Sequence, residues 1–242
     1  MNMWPPFFVD PYQDDMTPDT PQNNIRNTVK MEKLDVSKVF VTHWDALTER
    51  RAFMEGQLQK SGIKDVEWVT SFPVPELDNE ELIAKYPVVF ARGKMDARLS
   101  PPVTSLLLKH CYVIEEMVKH QYESALILED DAILASNFAS KFNLYKSQLP
   151  EEWDLLWVGT CCNIHAPYQR GSNIYEGDRS RCTHCFLISL KCAQKIHDDM
   201  YSIDMPIDWY YNAMIKRHSL RNYWAEPPLS MQSKSFKTTL QL

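Results

Sequence analysis

The apolar run Ala125-Leu-Ile-Leu128 is followed without a break by three acids, Glu129, Asp130 and Asp131. A short, wholly apolar run of this kind fits a strand buried on both faces, as in a parallel sheet covered by helices. Three carboxylates at the tip of such a strand repel one another and resist desolvation. A hard divalent cation among them relieves both costs. Mg or Mn suits the set, because these ions take oxygen ligands and bridge to phosphate oxygens. The carboxyl end of a strand in an open α/β sheet is also where ligands bind. The stretch therefore points to an α/β fold and to a metal–phosphate site at residues 129–131. The competing reading is a solvated acidic turn.

The chain on either side supports that fold class. Residues 39–42 read as a strand. A helix is predicted over 46–61, capped by Asp45 and stopped by Gly62, with Leu47, Met54 and Leu58 as its apolar stripe and Arg50 and Arg51 beside it. Residues 66–72 read as a second strand, and a β–α–β opening argues for a parallel sheet. Ser100-Pro101-Pro102 starts a helix with proline in its first turn, and Val103, Leu106, Leu107, His110, Ile114 and Met117 share one face of it. Downstream, 138–149 reads as a helix, 153–158 as a strand ending at Gly159, 182–189 as a strand and 190–200 as a helix. A short aromatic-rich helix starts at Pro206 and Asp208, and 222–225 is the last strand. Segments 73–99 and 160–181 lack periodicity and read as loops that can close over one end of the sheet. The predicted fold is thus α/β, a single Rossmann-like, mostly parallel sheet flanked by helices over residues 36–242. A proline-rich arm, residues 1–35, precedes it and carries Trp4, Phe7, Phe8 and Tyr12 among five prolines. Those aromatics could dock on the body or hold a second copy in a homodimer, or the arm is disordered.

Composition narrows the function. The chain has 242 residues, enough for a full core, and a net charge of −6, which argues against nonspecific binding to nucleic acid or anionic membrane. No window approaches the ~20 apolar residues of a membrane span. Residues 1–10 do not read as an export signal, so a cytoplasmic location with six reduced cysteines is expected. Cys161, Cys162, His165, Cys182, His184 and Cys185 form a rival, zinc-like set. However, alternation along 182–189 turns Cys182 and His184 away from Cys185, and adjacent Cys161-Cys162 is poor ligand spacing.

The order of these landmarks resembles glycosyltransferase family 25, which includes lipooligosaccharide and procollagen galactosyltransferases. The matching stretches are Val39-Phe-Val-Thr-His-Trp-Asp-Ala-Leu-Thr-Glu-Arg-Arg51, Leu108-Lys109-His110, Leu126-Ile-Leu-Glu-Asp-Asp131, Trp153-Asp-Leu-Leu-Trp-Val-Gly159, Thr183 to Ala193, Pro206-Ile-Asp208, and Pro227-Pro228 with Gln232. Two departures stand out: His43-Trp44-Asp45 where the family has asparagine-leucine-aspartate, and Lys109 where it has serine.

The resemblance implies a GT-A fold, a nucleotide-sugar donor such as a UDP-sugar, and inversion at the anomeric carbon. It is consistent with Asp130 and Asp131 as ligands of a Mn or Mg ion, and with Asp130 also contacting the donor. Glu129 then either holds the strand end or reaches the donor sugar. Arg50 and Arg51 suit the diphosphate, or form ion pairs on a helix face. His110 acts on the donor through another side chain or is a core histidine. Asp208, at a helix start and on the family's proline-X-aspartate, is the candidate catalytic base or a plain helix cap; Trp209, Tyr210 and Tyr211 could stack on an acceptor sugar, and Glu226 is the alternative base. The predicted activity is transfer of a hexose, galactose or glucose, to a hydroxyl of a glycan or glycoprotein. A catalytically silent binding protein of the same fold and a nucleotidyltransferase remain as alternatives.

Overall fold

The computed structural model describes residues 32–160, 164–167 and 171–236. Along the chain the elements are β1 (Lys38–Thr42), α1 (Thr48–Ser61), β2 (Val66–Val69), α2 (Glu80–Lys85), α3 (Pro87–Gly93), α4 (Pro101–His120), β3 (Ser124–Glu129), β4 (Ala132–Leu134), α5 (Phe138–Lys146), β5 (Leu155–Trp157), β6 (Gly159–Thr160), β7 (Ile174–Glu176), β8 (Cys185–Ser189), α6 (Leu190–Ile196), α7 (Ile207–Arg217), β9 (Asn222–Ala225) and β10 (Ser230–Gln232).

The main sheet has the order β2-β1-β3-β8-β5-β9-β7. Strands β2, β1 and β3 are mutually parallel, and so are β5 and β9; β8 and β7 run against their neighbours. Because β8 is antiparallel to both of its neighbours, the five remaining strands share one direction and the sheet is mostly parallel. The apolar run before the acids is buried on both faces, as its composition requires. Ala125 and Ile127 belong to one core cluster, Leu126 and Leu128 to the other. Leu107, Ile114 and Met117 of α4 join the first with Ala193 and Tyr211; Met54 and Leu58 of α1 join the second with Phe138 and Phe142. Each such side chain contributes about 1.5–3 kcal/mol through burial, which is why the helix stripes legible in the sequence settle on opposite sides of the sheet.

Helix α1 starts at Thr48 without a side-chain cap, so Asp45 does not cap it, while Gly62 ends it in the left-handed conformation at φ 66°. The segment 73–99 is not a loose loop. It holds α2, α3 and short 3-10 turns, and Tyr86, Val89 and Leu99 sink into the core. The prolines that interrupt its sequence pattern sit at helix starts, where a missing amide costs nothing.

A second, small sheet of order β4-β10-β6 lies beyond the acid-tipped end of β3. It is built from strands of two or three residues, too short to show a period in the sequence. Residues 1–31 of the predicted arm lie outside the described residues. Leu34 is already buried in the core, and the Asp35 amide donates to Asn143 Oδ1 at 2.9 Å, so the folded body reaches back a little beyond residue 36. No helix among the described residues is long and apolar enough to cross a membrane. Cys111, Cys185 and Cys192 are buried free thiols, as expected; Cys182 departs from that expectation, being disulfide-bonded.

Candidate active site

Strand register builds the site. β1 and β3 pair in parallel with Thr42 opposite Glu129, so the next residues, His43 and Asp130, leave the sheet side by side. His43 Nδ1 lies 2.7 Å from Asp130 Oδ2, and both side chains are buried. One turn into α1, Arg50 donates to Asp130 Oδ1 at 2.9 Å and to Asp131 Oδ2 at 3.1 Å. From the other side, β10 pairs with β4 so that Gln232 faces Ala132. Gln232 Nε2 then donates to Asp131 Oδ2 at 3.2 Å, and the Ser233 amide to the Asp131 carbonyl at 2.8 Å. Phe236 follows, its ring 5.3 Å from the Arg50 guanidinium carbon.

These contacts leave one oxygen over. Asp131 Oδ1 is buried and accepts no hydrogen bond among the described residues. Burial raises the pKa of Asp131, with Arg50 opposing the shift. Glu129 accepts from the Thr183 hydroxyl at 2.6 Å, and burial, helped by the charge of Asp131, pushes its pKa up to about 8. The triad is therefore graded: Glu129 is held as a strand-end acid, Asp130 is clamped at both oxygens, and Asp131 keeps an unused one.

The acids open on a cavity of about 330 Å³ at the carboxyl ends of β1 and β3. Trp44, Leu47 and Arg50 line it from the α1 side, Pro101, Pro102, Ser105, Leu106 and Lys109 from α4, and Gln232 from β10. It is a largely apolar slot whose charged lining is supplied by the three acids, Arg50 and Lys109.

The other predicted residues fall elsewhere. Arg51, one residue on from Arg50, points away: its guanidinium lies 3.6 Å over the Trp68 ring, and its Nε pairs with Glu55 at 2.7 Å. His110 does not reach the cavity. It is buried against Phe186 and Tyr211, and burial holds its pKa down to about 3, so the ring is a neutral core residue. Glu226 is engaged by His165 at 3.0 Å, the Ala166 amide at 3.0 Å and the buried Arg181 at 3.1 Å. It anchors the chain around residue 165, with both carboxylate oxygens engaged by the protein. Tyr210 and Tyr211 are core side chains, and only Trp209, 48% exposed, offers a surface to a sugar.

Asp208 lies in the first turn of α7 and does not line the cavity; the cap residue there is Pro206, so the plain-cap reading of Asp208 falls. Trp209 stacks with Arg98 at 5.1 Å, three residues before Pro101 of the cavity wall, which brings the start of α7 beside that wall. Burial raises the Asp208 pKa, against the lowering effect of hydrogen bonds from backbone amides. The helix start therefore does not leave this carboxyl as acidic as the dipole alone would.

The zinc-like set is not assembled. Cys182 is in a disulfide, His165 pairs with Glu226, and His184 packs on Gly159; Cys161 and Cys162 lie outside the described residues. Among the described residues no three His, Cys, Asp or Glu side chains form a metal cage. His43, Lys109 and Gln232, none of them a candidate from the sequence, also line the cavity, and each stands in a stretch that carries the family resemblance.

Fold and cavity together define an α/β protein with an acid-lined cavity at the carboxyl ends of its parallel strands. A sequence model of glycosyltransferase family 25 (LPS biosynthesis protein) matches residues 36–211, and the chain belongs to that family. Two solved structures are similar at 10% identity. One is a glycosyltransferase involved in the glycosylation of the major capsid of PBCV-1, with 82% of this chain and 94% of that one covered at a TM-score of 0.44. The other is A197 from STIV, with 55% and 78% covered at 0.35. At these scores neither likeness carries an argument. No curated protein matches the chain.

Proposed function

We propose that this chain is an inverting, divalent-cation-dependent transferase of GT-A type. It moves a hexose, galactose or glucose, from a UDP-sugar to a hydroxyl of a glycan or glycoprotein. The observation that carries the reading is Asp131 Oδ1, a buried carboxylate oxygen without a partner among the described residues, next to the clamped Asp130 at the charged end of the cavity. A Mn or Mg ion would be held by Asp131 with Asp130, would complete its shell from donor phosphate and water, and would carry charge of the departing diphosphate.

The chain's own residues do the rest. Arg50 and His43 fix the acids, and Trp44 and Leu47 oppose Pro101 and Leu106 as apolar walls for the base and sugar. Asp208 takes the acceptor hydroxyl's proton as that oxygen attacks the anomeric carbon from the face opposite the diphosphate, which inverts the centre. Trp209 gives the acceptor sugar a stacking surface.

The test is a panel of nucleotide sugars incubated with the full chain in Mn and in excess chelator, with products resolved. UDP release from a UDP-hexose in Mn alone is the expected result. No release from any donor, or release untouched by chelator, overturns the reading. Pyrophosphate formed from a nucleoside triphosphate marks the nucleotidyltransferase instead.

A further inference from the structure

Helix α4 presents to the cavity a cation that neither the core nor the acid pair requires. Lys109 is 3% exposed. Its ammonium donates to Ser105 Oγ at 2.8 Å and reaches the Phe72 carbonyl at 3.4 Å, both neutral acceptors. No carboxylate among the described residues is within ion-pairing distance of it; Asp130 and Asp45 act on it only through space. An ammonium has three N–H donors, and a buried one without a counter-charge is a standing cost. The neighbouring buried positions of α4 are Leu107, Leu108, His110 and Cys111, none of which carries a charge, His110 being held neutral by its burial. Position 109 differs from them in bordering the cavity, on the same helix face as Ser105 one turn earlier.

We propose that Lys109 binds the donor's diphosphate, gripping it from α4 in the cavity that the acids of β3 also line. This rests on the glycosyl-transfer reading. An incoming phosphate supplies the counter-charge and acceptor oxygens that the folded protein withholds from Lys109. Ser105 is then a positioning residue that aims the ammonium across the slot. Burial holds the Lys109 pKa down to about 8, so at neutral pH the group is still charged for that contact.

UDP and uridine are titrated into the wild-type chain and Lys109→Met, both in Mn, by calorimetry and saturation-transfer NMR. Methionine keeps the volume and removes the charge. UDP affinity is expected to fall about ten- to a hundredfold, the range for a hydrogen bond to a charged group, with uridine affinity unchanged. Equal UDP affinity in the two proteins overturns the assignment and leaves glycosyl transfer standing. Parallel loss of UDP and uridine affinity also overturns it, since that marks a merely structural role. A wild-type chain that binds neither ligand overturns the transferase reading and this one with it. Should Lys109→Met melt below the assay temperature, Lys109→Gln is measured under the same criteria.

Discussion

His43 and Asp130 meet at 2.7 Å, Nδ1 to Oδ2, with both side chains buried, because β1 and β3 place them on the same rung. Arg50 occupies the other oxygen of Asp130. The two acids are thereby unequal. Asp130 is held at both oxygens, whereas Asp131 Oδ1 has no hydrogen-bond partner among the described residues.

Asp131→Asn therefore removes a hard anionic ligand while keeping shape, and sugar transfer should fall at least about a hundredfold. Excess chelator should do the same to the wild-type chain. Steady-state UDP release in Mn is the measurement, and full turnover of either would show that the acids hold no catalytic cation.

Lys109→Met should be more stable than the wild-type chain at pH 7. The folded pKa of Lys109 is lowered from 10.5 to about 8, so the folded state binds fewer protons than the unfolded one between those values. Stability rises with pH across that window, and the penalty is felt in full below it, on the order of 3 kcal/mol. Urea unfolding should show the gain at pH 7 and a smaller one at pH 10. A constant difference at both pH values would mean that the charge is not its source.

Asp208→Asn should stay folded, bind UDP normally and lose transfer by at least about a hundredfold. A base works ionised, and burial raises the pKa of Asp208 above 3.8. In the wild-type chain kcat/KM should accordingly fall as pH drops through that raised value, and the residual rate of the variant should lack this limb. Near-normal transfer by a folded Asp208→Asn would place the base elsewhere.

Gly159→Ala should destabilise the fold and be relieved by a second change. A β-carbon at residue 159 would overlap the imidazole of His184, with Cδ2 only 2.8 Å away. Overpacking of this kind costs about 1–3 kcal/mol. In a His184→Ala background the cost should shrink by about 1 kcal/mol or more, and thermal unfolding of the four proteins of the cycle measures it. Additive effects would show that the two sites are not in contact.

Helices α1 and α4 were legible in the sequence because their apolar positions recur at helical spacing, and β1 and β3 because each is a short run buried along nearly its whole length. The site was legible as adjacent pairs, and helix geometry then separated each pair. Neighbouring residues on a helix point about 100° apart, so Arg50 meets the acids while Arg51 covers Trp68, and Lys109 borders the cavity while His110 enters the core. Choosing within a pair takes the position of the sheet, which no local pattern carries. The departures His43 and Lys109 stood out by residue type, and Ser105 is one helical turn from Lys109, but Asp130 is brought to His43 by strand register and the Phe72 carbonyl to Lys109 by loop path. Strand β10 is invisible alone, since three residues define no period; its pairing with β4 and β6 is entirely tertiary.

That short strand sets a temporal order on biosynthesis. Gln232, Ser233 and Phe236 close the acid pair and its arginine from outside. A ribosome that has delivered everything up to residue 225 has released all seven strands of the main sheet, yet the acids still lack that cover. The charged end of the cavity is finished only after residues 230–236 follow, about a second later at ordinary rates of synthesis, so the main sheet is complete in sequence before the site is.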